Sequence, residues 1–294
     1  MRTQPIKQPM PFPWAGIFRL CRLDKPVGIL LLLWPTLWAL LDAAQGLVWS
    51  WPAVALMLGV VLMRSAGCVI NDYADRHWDG AVARTKTRPL VTGEVTPKQA
   101  LGVFVGLCLV AFALVLTLNQ LTIQLSFVAV ALATIYPFTK RITHLPQVVL
   151  GAAFSWAIPM VYAAINGAIP AHAWWLFAAN LAWTVAYDTQ YAMVDRADDL
   201  KVGIKSTAIL FGRFDVLAIV MLQLLCLACL VGFAVSAALM QVTFAGALLL
   251  ALGLFIWQWQ LVRERQPAAC FLAFRSNNWV GMVISGGLAL ALVG

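Results

Sequence analysis

The sequence predicts an all-α polytopic membrane protein of nine transmembrane helices, and three observations predict it. Of 294 residues, 62% are hydrophobic and 11% charged, whereas a soluble domain carries about a quarter charged residues. Apolar runs of bilayer-crossing length, about 20 residues, recur at 25–42, 51–70, 99–118, 121–138, 146–165, 173–191, 214–237, 240–261 and 270–293. Basic residues, finally, gather at one side of those runs throughout.

Taken in order, the first run could be mistaken for a signal peptide, since Phe12 to Leu33 is apolar. No small-residue cleavage site follows and the hydrophobicity continues, so it reads as a span preceded by a cytoplasmic segment, 1–24. Pro35, Pro137 and Pro159 punctuate runs one, four and five; membrane helices tolerate proline where neighbours satisfy the freed carbonyls. The segments after runs one, three, five and seven contain no Lys or Arg. Arg19, Arg22 and Lys25 precede run one. Arg76, Arg84, Lys86, Arg88 and Lys98 follow run two, and Lys140 and Arg141 follow run four. Arg196, Lys201, Lys205 and Arg213 follow run six, and Arg263 and Arg265 follow run eight. Arg64 and Arg275 lie near the same ends of runs two and nine. A miscounted run would break the alternation. The positive-inside rule therefore puts the N-terminus in the cytoplasm and the C-terminus on the far side. The whole chain, 1–294, reads as one membrane domain.

The net charge of +8 is spread between spans, with no soluble basic domain. That favours inner-leaflet lipid and an anionic substrate over nucleic acid. The six cysteines sit mostly inside apolar runs. Cys226-x-x-Cys229 is mid-span and lacks a second ligand pair, so it reads as two small hydrophobes and not as a zinc site.

The chemistry concentrates at the end of run two, in Asn71-Asp72-Tyr73-Ala74-Asp75-Arg76-His77-Trp78-Asp79-Gly80. The chain has only twelve acidic residues, and three of them fall here. Asn71, Asp75 and Asp79 are spaced i, i+4, i+8, which on a continuous helix stacks three oxygen donors along one face. Carboxylates so close to one another and to hydrocarbon call for a compensating cation. A second cluster, Asp195-Arg196-Ala197-Asp198-Asp199, closes run six. Each is followed by a polar loop, 80–98 and 200–213, built from basic residues, glycine and hydroxyls. The two sites lie four spans apart, as an internal repeat would place them, although only the motifs carry that resemblance.

Carboxylates and an amide oxygen, without Cys or His, select a hard cation. Magnesium is commonly held by one or two carboxylates together with substrate phosphates. Arg84, Lys86, Arg88, Lys201 and Lys205 flank the clusters, which suits a metal-bridged diphosphate. The bland alternative is a helix end solvated among headgroups and paired with arginines; two clusters in matched positions argue against it. Asp72 points off the i, i+4 line and is read as a helix cap or as orienting a basic neighbour. Asp188, one heptad before Asp195, is deeper on the same face and is a functional candidate as an intramembrane acid. Arg64, one heptad before Asn71, lies roughly 10 Å deeper and needs an anionic partner, either a substrate carboxylate or Asp188. Tyr136, Lys140 and Arg141 close run four, as an aromatic wall with two cations or as a common snorkelling span end. His77, His144 and His172 receive no role.

These residues resemble a known family. Asn71-x-x-x-Asp75-x-x-x-Asp79 with Arg84 to Pro89 behind it is similar to one signature of the UbiA-type intramembrane aromatic prenyltransferases. Tyr187-Asp-Thr-x-Tyr-Ala-x-x-Asp195-x-x-Asp-Asp199, followed by Gly203-x-Lys205-Ser206, is similar to the other. The resemblance extends to Leu23-Asp-Lys-Pro-Val-Gly28 and to Tyr136 through Pro146. It implies a nine-helix bundle around a central cavity, with the two polar loops as cytoplasmic caps, in a bacterial-type inner membrane. It implies magnesium-dependent transfer of a polyprenyl group from polyprenyl diphosphate to the ring carbon ortho to the hydroxyl of 4-hydroxybenzoate, a step of ubiquinone synthesis. Matched by position, Asn71, Asp75 and Asp79 would hold one Mg2+, and Asp195 and Asp199 the other. Arg64 would meet the acid's carboxylate, and Lys140 and Arg141 would lie near diphosphate or acceptor.

Residue chemistry supports that mechanism independently. Diphosphate leaves an allylic carbon once its developing charge is neutralised. The remaining cation needs a dry cavity, where the faces of Tyr136, Phe138 and Trp183 can stabilise it by ~1–2 kcal/mol each. Asp188, Asp195 and the departing diphosphate are all candidate bases for the ring proton. Within the family, naphthoate, haem or chlorophyllide acceptors are the rivals; Arg64 favours a carboxylated acceptor without excluding a naphthoate. A cation-coupled carrier would share intramembrane acids and matched halves, but its acids belong at the midplane and here they lie at one side.

Overall fold

The computed structural model describes residues 13–47 and 49–293, so the first half of the expected N-terminal segment lies outside the described residues. Among those residues the regular structure is helical: α1 Trp14–Leu20, α2 Val27–Ala43, α3 Trp51–Asp75, α4 Pro97–Val115, α5 Gln120–Ile142, α6 Pro146–Ser155, α7 Ala157–Asn166, α8 Ala173–Val202, α9 Thr207–Phe211, α10 Asp215–Ser236, α11 Val242–Val262 and α12 Pro267–Ala291. Short 3-10 turns cover Asp79–Ala81 and Gly212–Phe214.

Helix starts follow local chemistry. Ser50 caps α3 by accepting from the Ala53 amide. Thr96 and Gln99 form a capping box at α4, and Asn119 caps α5 by accepting from the Thr122 amide; such caps satisfy amides that have no intrahelical partner. Gly203, at φ 74°, ends α8 in the left-handed conformation that glycine enters at low cost.

Six helical stretches among the described residues are long and apolar enough to cross a membrane: α3, α4, α5, α6 with α7, α9 with α10, and α11. The chain is thus a multi-pass membrane protein. α2, of 17 residues, is apolar but shorter, while α8 and α12, of 30 and 25, have the length but not the composition. The fifth run is not one continuous helix. Pro159 has no amide to offer the Ser155 carbonyl four residues back, and the chain breaks at Trp156 between α6 and α7. α8 overshoots its expected end at 191 and carries its acidic cluster on regular helix to Val202.

α8 packs against α6, α10 and α12, and its polar residues face inward. Trp38 stacks on Trp183 at 5.3 Å, and Trp183 meets Tyr187 edge-on at 5.4 Å. Trp183 donates to Asn277 Oδ1 (2.8 Å), and Asn277 donates to Gln190 Oε1 (2.9 Å). Gln190 and Gln223 both donate to Gln258 Oε1, at 3.2 and 2.7 Å. All five side chains are buried, so this network joins α8, α10, α11 and α12 with bonds that lipid cannot replace. At the other end of the bundle, Tyr162 donates to Asp42 (2.5 Å) and His172 Nε2 lies 2.9 Å from the same oxygen. His172, assigned no role from sequence, here ties the start of α8 to α2.

Candidate active site

The first acidic cluster departs from its expected geometry. α3 ends at Asp75, and Asp79 sits on the 3-10 turn beyond it. Asn71, Asp75 and Asp79 therefore do not share one continuous α-helical face. The reversal brings the following segment back over the helix end: Arg88 Nη1 reaches Asp79 Oδ2 at 2.6 Å and Asp72 Oδ1 at 3.0 Å. Asp72, 1% exposed, also takes two bonds from Arg22 (2.8 and 3.0 Å). Of the two readings for Asp72, orienting basic neighbours is the one observed.

Lys140, from the last turn of α5, enters the same cluster. Its Nζ donates to Asn71 Oδ1 at 2.8 Å and to Asp75 Oδ2 at 3.0 Å. Two oxygens from successive turns of α3 thus already converge on one cation. The second cluster is held from the first loop. Arg84 Nε lies 3.0 Å from both carboxylate oxygens of Asp195, and its guanidinium stacks on Tyr191 at 4.5 Å. The Ala83 amide donates to Asp198 Oδ2 at 3.2 Å. The segment after α3 therefore spans from the first cluster to the second, joining residues 111 positions apart.

The electrostatics follow from crowding. Burial and the neighbouring Asp195 carboxylate push Asp199 up to about 7. Burial also raises Asp79, more than Arg88 beside it lowers it. Asp198 is held below its ordinary value by the Ala83 amide and Lys201. Among the described residues no three His, Cys, Asp or Glu side chains converge as a self-sufficient metal site. Hard oxygen donors pre-gathered around an ammonium nevertheless fit a magnesium ion that draws its remaining ligands from phosphate and water.

Deeper in the bundle, Arg64 projects from α3. Nη1 lies 2.9 Å from Cys68 Sγ, and Cζ lies 5.6 Å from the Phe154 ring centroid. Nε is buried without a hydrogen-bond partner, as is Tyr187 Oη. Among the described residues Arg64 forms no direct ion pair, although the Asp188 carboxylate is near enough to act on it electrostatically. Asp188 itself makes no hydrogen bond there.

The remaining candidates sit elsewhere. Tyr136 lies under Lys140, with Nζ 5.4 Å from its ring. Arg141 turns away from the carboxylates, bonding the Ala74 carbonyl and stacking 4.1 Å over Trp78. Lys201 pairs with Asp198 (3.1 Å) with its side chain 74% exposed. Lys205 donates to the Ile142 carbonyl (3.2 Å), and its amide bonds the Lys140 carbonyl (3.0 Å). Arg141 and Lys205 therefore brace the site's edges without touching a cluster carboxylate, and Lys201 reaches only Asp198, at the outer side of the second cluster.

Known proteins agree with this architecture. A protein of Vibrio parahaemolyticus named 4-hydroxybenzoate octaprenyltransferase is 58% identical over 275 residues, 93% of this chain and 96% of that protein. The apo structure of a UbiA homologue from Aeropyrum pernix superposes with a TM-score of 0.78 at 23% identity, covering 88% of this chain and 97% of that one. A UbiA homologue from Archaeoglobus fulgidus, solved with GPP and Mg2+, gives 0.70 at 16%, covering 95% of this chain and 100% of that one. At those identities the two structures attest the fold alone. Residues 32–282 match the UbiA prenyltransferase family, and the chain belongs to it.

Proposed function

We propose that this chain transfers a polyprenyl group from polyprenyl diphosphate to the carbon ortho to the hydroxyl of 4-hydroxybenzoate, the prenylation step of ubiquinone synthesis. The observation that carries this is 58% identity across nearly the whole length of a protein named for that activity. Its name makes octaprenyl diphosphate the first donor to try. The chain would cross a bacterial inner membrane nine times around a central cavity, with N-terminus, site and both cap loops cytoplasmic, as the one-sided distribution of Lys and Arg supports.

Asn71, Asp75 and Asp79 would hold one Mg2+, and Asp195 and Asp199 a second. When bound, magnesium supplies Lewis-acid neutralisation of the charge developing on the leaving diphosphate. Arg84, Arg88 and Lys140, now paired with carboxylates, would turn to phosphate oxygens as ligand and metal enter; each is within reach of an acidic cluster already. Lys201, Lys205 and Arg141 would hold the loop and helix ends that carry them. The walls of the central cavity would exclude water from the allylic cation, and Tyr136 would offer its face. Arg64, whose Nε is buried without a hydrogen-bond partner, would bind the acceptor's carboxylate, which fixes the ring's orientation. Asp188, free of other bonds, would accept the ring proton after the new carbon–carbon bond forms.

The test is acceptor choice. Purified protein in detergent with Mg2+ and octaprenyl diphosphate should prenylate 4-hydroxybenzoate, read by mass spectrometry. Turnover of 1,4-dihydroxy-2-naphthoate alone would keep the family chemistry and discard the acceptor.

A further inference from the structure

Gly28, in the first turn of α2, closes the motif Leu23-Asp-Lys-Pro-Val-Gly28. What faces it most closely is the guanidinium of Arg64. A Cβ at position 28 would lie 2.5 Å from Nη2, 2.6 Å from Nε and 2.8 Å from Cζ. Both nitrogens are nearer than the carbon that joins them, so the guanidinium turns its Nε–Nη2 edge toward the bare backbone of α2. Cys68 Sγ holds Nη1 from a second side, 2.9 Å away, and Nε is left buried and unpartnered. Helix stability alone would favour alanine here.

We infer that Gly28 is a positioning residue for the acceptor carboxylate, acting through Arg64: the missing side chain sets the depth and tilt at which the guanidinium is presented. This rests on the reading of Arg64 as the carboxylate-binding residue. Ordinary contact begins at 3.4 Å, so a methyl at position 28 must push Nη2 back from 2.5 Å, by roughly 0.9 Å. The obstructing atoms are the far end of a flexible side chain, so the helices can stay in place while the guanidinium moves. A displacement near 1 Å at a substrate-orienting group costs up to about 100-fold.

The experiment compares wild type, Gly28→Ala, Arg64→Ala and the double variant, with Gly59→Ala on α3, whose Cβ would meet open space, as control. Gly28→Ala should raise KM for 4-hydroxybenzoate by 10- to 100-fold, leave KM for the prenyl diphosphate and the magnesium midpoint within twofold, and add nothing in the Arg64→Ala background. Gly59→Ala should match wild type. Equal changes in all constants, no change, or additive losses would overturn the inference. Unfolding midpoints of the four proteins read the contact without substrate: Gly28→Ala should lower the midpoint only where Arg64 is present. A wild type inactive on 4-hydroxybenzoate that still shows that coupling would refute the functional reading and leave the contact standing. Coupling in unfolding without a selective KM effect in an active enzyme would refute the positioning role.

Discussion

Lys140→Met separates two jobs that one ammonium performs. In the structure Nζ bonds Asn71 Oδ1 (2.8 Å) and Asp75 Oδ2 (3.0 Å), and the side chains of Lys140 and Asp75 are 20% and 9% exposed. Removing one partner of a fully buried ion pair costs about 3–5 kcal/mol, and a hydrogen bond to a charged group contributes about 1.5–3 kcal/mol. Partial exposure argues for the lower end, about 2 kcal/mol. For a chain of this size, each kcal/mol lowers Tm by about 2–4 °C. Without magnesium, the variant should therefore melt about 4–8 °C below wild type in detergent. With magnesium the order of affinities should invert. In wild type the metal must displace the ammonium; in the variant the carboxylate is already free, and 2 kcal/mol converts to about 30-fold tighter binding. Thermal unfolding across a magnesium titration measures both quantities. Turnover should fall in the same variant, because the ammonium that leaves Asp75 is the one proposed to take up phosphate. A Lys140→Met protein that binds magnesium more weakly than wild type would refute the exchange of lysine for metal.

Other perturbations probe separate parts of the account. Arg64→Gln should raise KM for 4-hydroxybenzoate by about 10- to 100-fold, the loss of a charge-assisted contact of about 1.5–3 kcal/mol, with KM for the prenyl diphosphate unchanged in the same steady-state assay. Asp199 is raised to about 7 from 3.8, so the fold binds its proton more tightly than the unfolded chain does. Stability from that proton is fully present below about pH 4 and lost as pH rises through about 7. In EDTA, Tm should therefore fall across that window; magnesium should flatten the fall, and Asp199→Asn should shrink it, leaving the smaller part that the raised Asp79 contributes. Gly281→Val would drive a Cβ to within 2.8 Å of the Trp34 Cβ where α2 meets α12. Overpacking of that kind costs about 1–3 kcal/mol, visible as a lower Tm, whereas Gly286→Val, facing open space, should leave Tm unchanged.

How much of this was legible in the sequence depends on the range of the interaction. Hydropathy and charge are local, and they located the apolar runs and both acidic motifs. The end of α3 was misjudged because a spacing of i, i+4, i+8 fits a helix whether or not the helix continues; only the turn after Asp75 decides. Pro159 announced a disturbance, but its result, a break at Trp156, depended on which carbonyl lost its partner. The pairings that organise the site are long-range. Lys140 lies 65 positions from Asp75, and Arg84 lies 111 from Asp195. No spacing rule reaches that far, so basic residues read as a flanking set divided into those that enter the clusters and those that brace the edges. Gln190, Gln223, Gln258 and Asn277 look like scattered polar residues within otherwise apolar runs; only packing turns them into a network. The run of like distances between Gly28 and Arg64 has no signal at all in composition.

The central claim is that the two acidic clusters act together on one metal-dependent prenyl transfer. The direct measurement incubates wild type, Asp75→Ala and Asp195→Ala with 4-hydroxybenzoate, octaprenyl diphosphate and magnesium, with an EDTA control, and quantifies prenylated acid by mass spectrometry. The account predicts product from wild type, none with EDTA, and at least a 100-fold loss in either variant while both remain folded. Full activity in either folded variant, or product formation indifferent to EDTA, would contradict it.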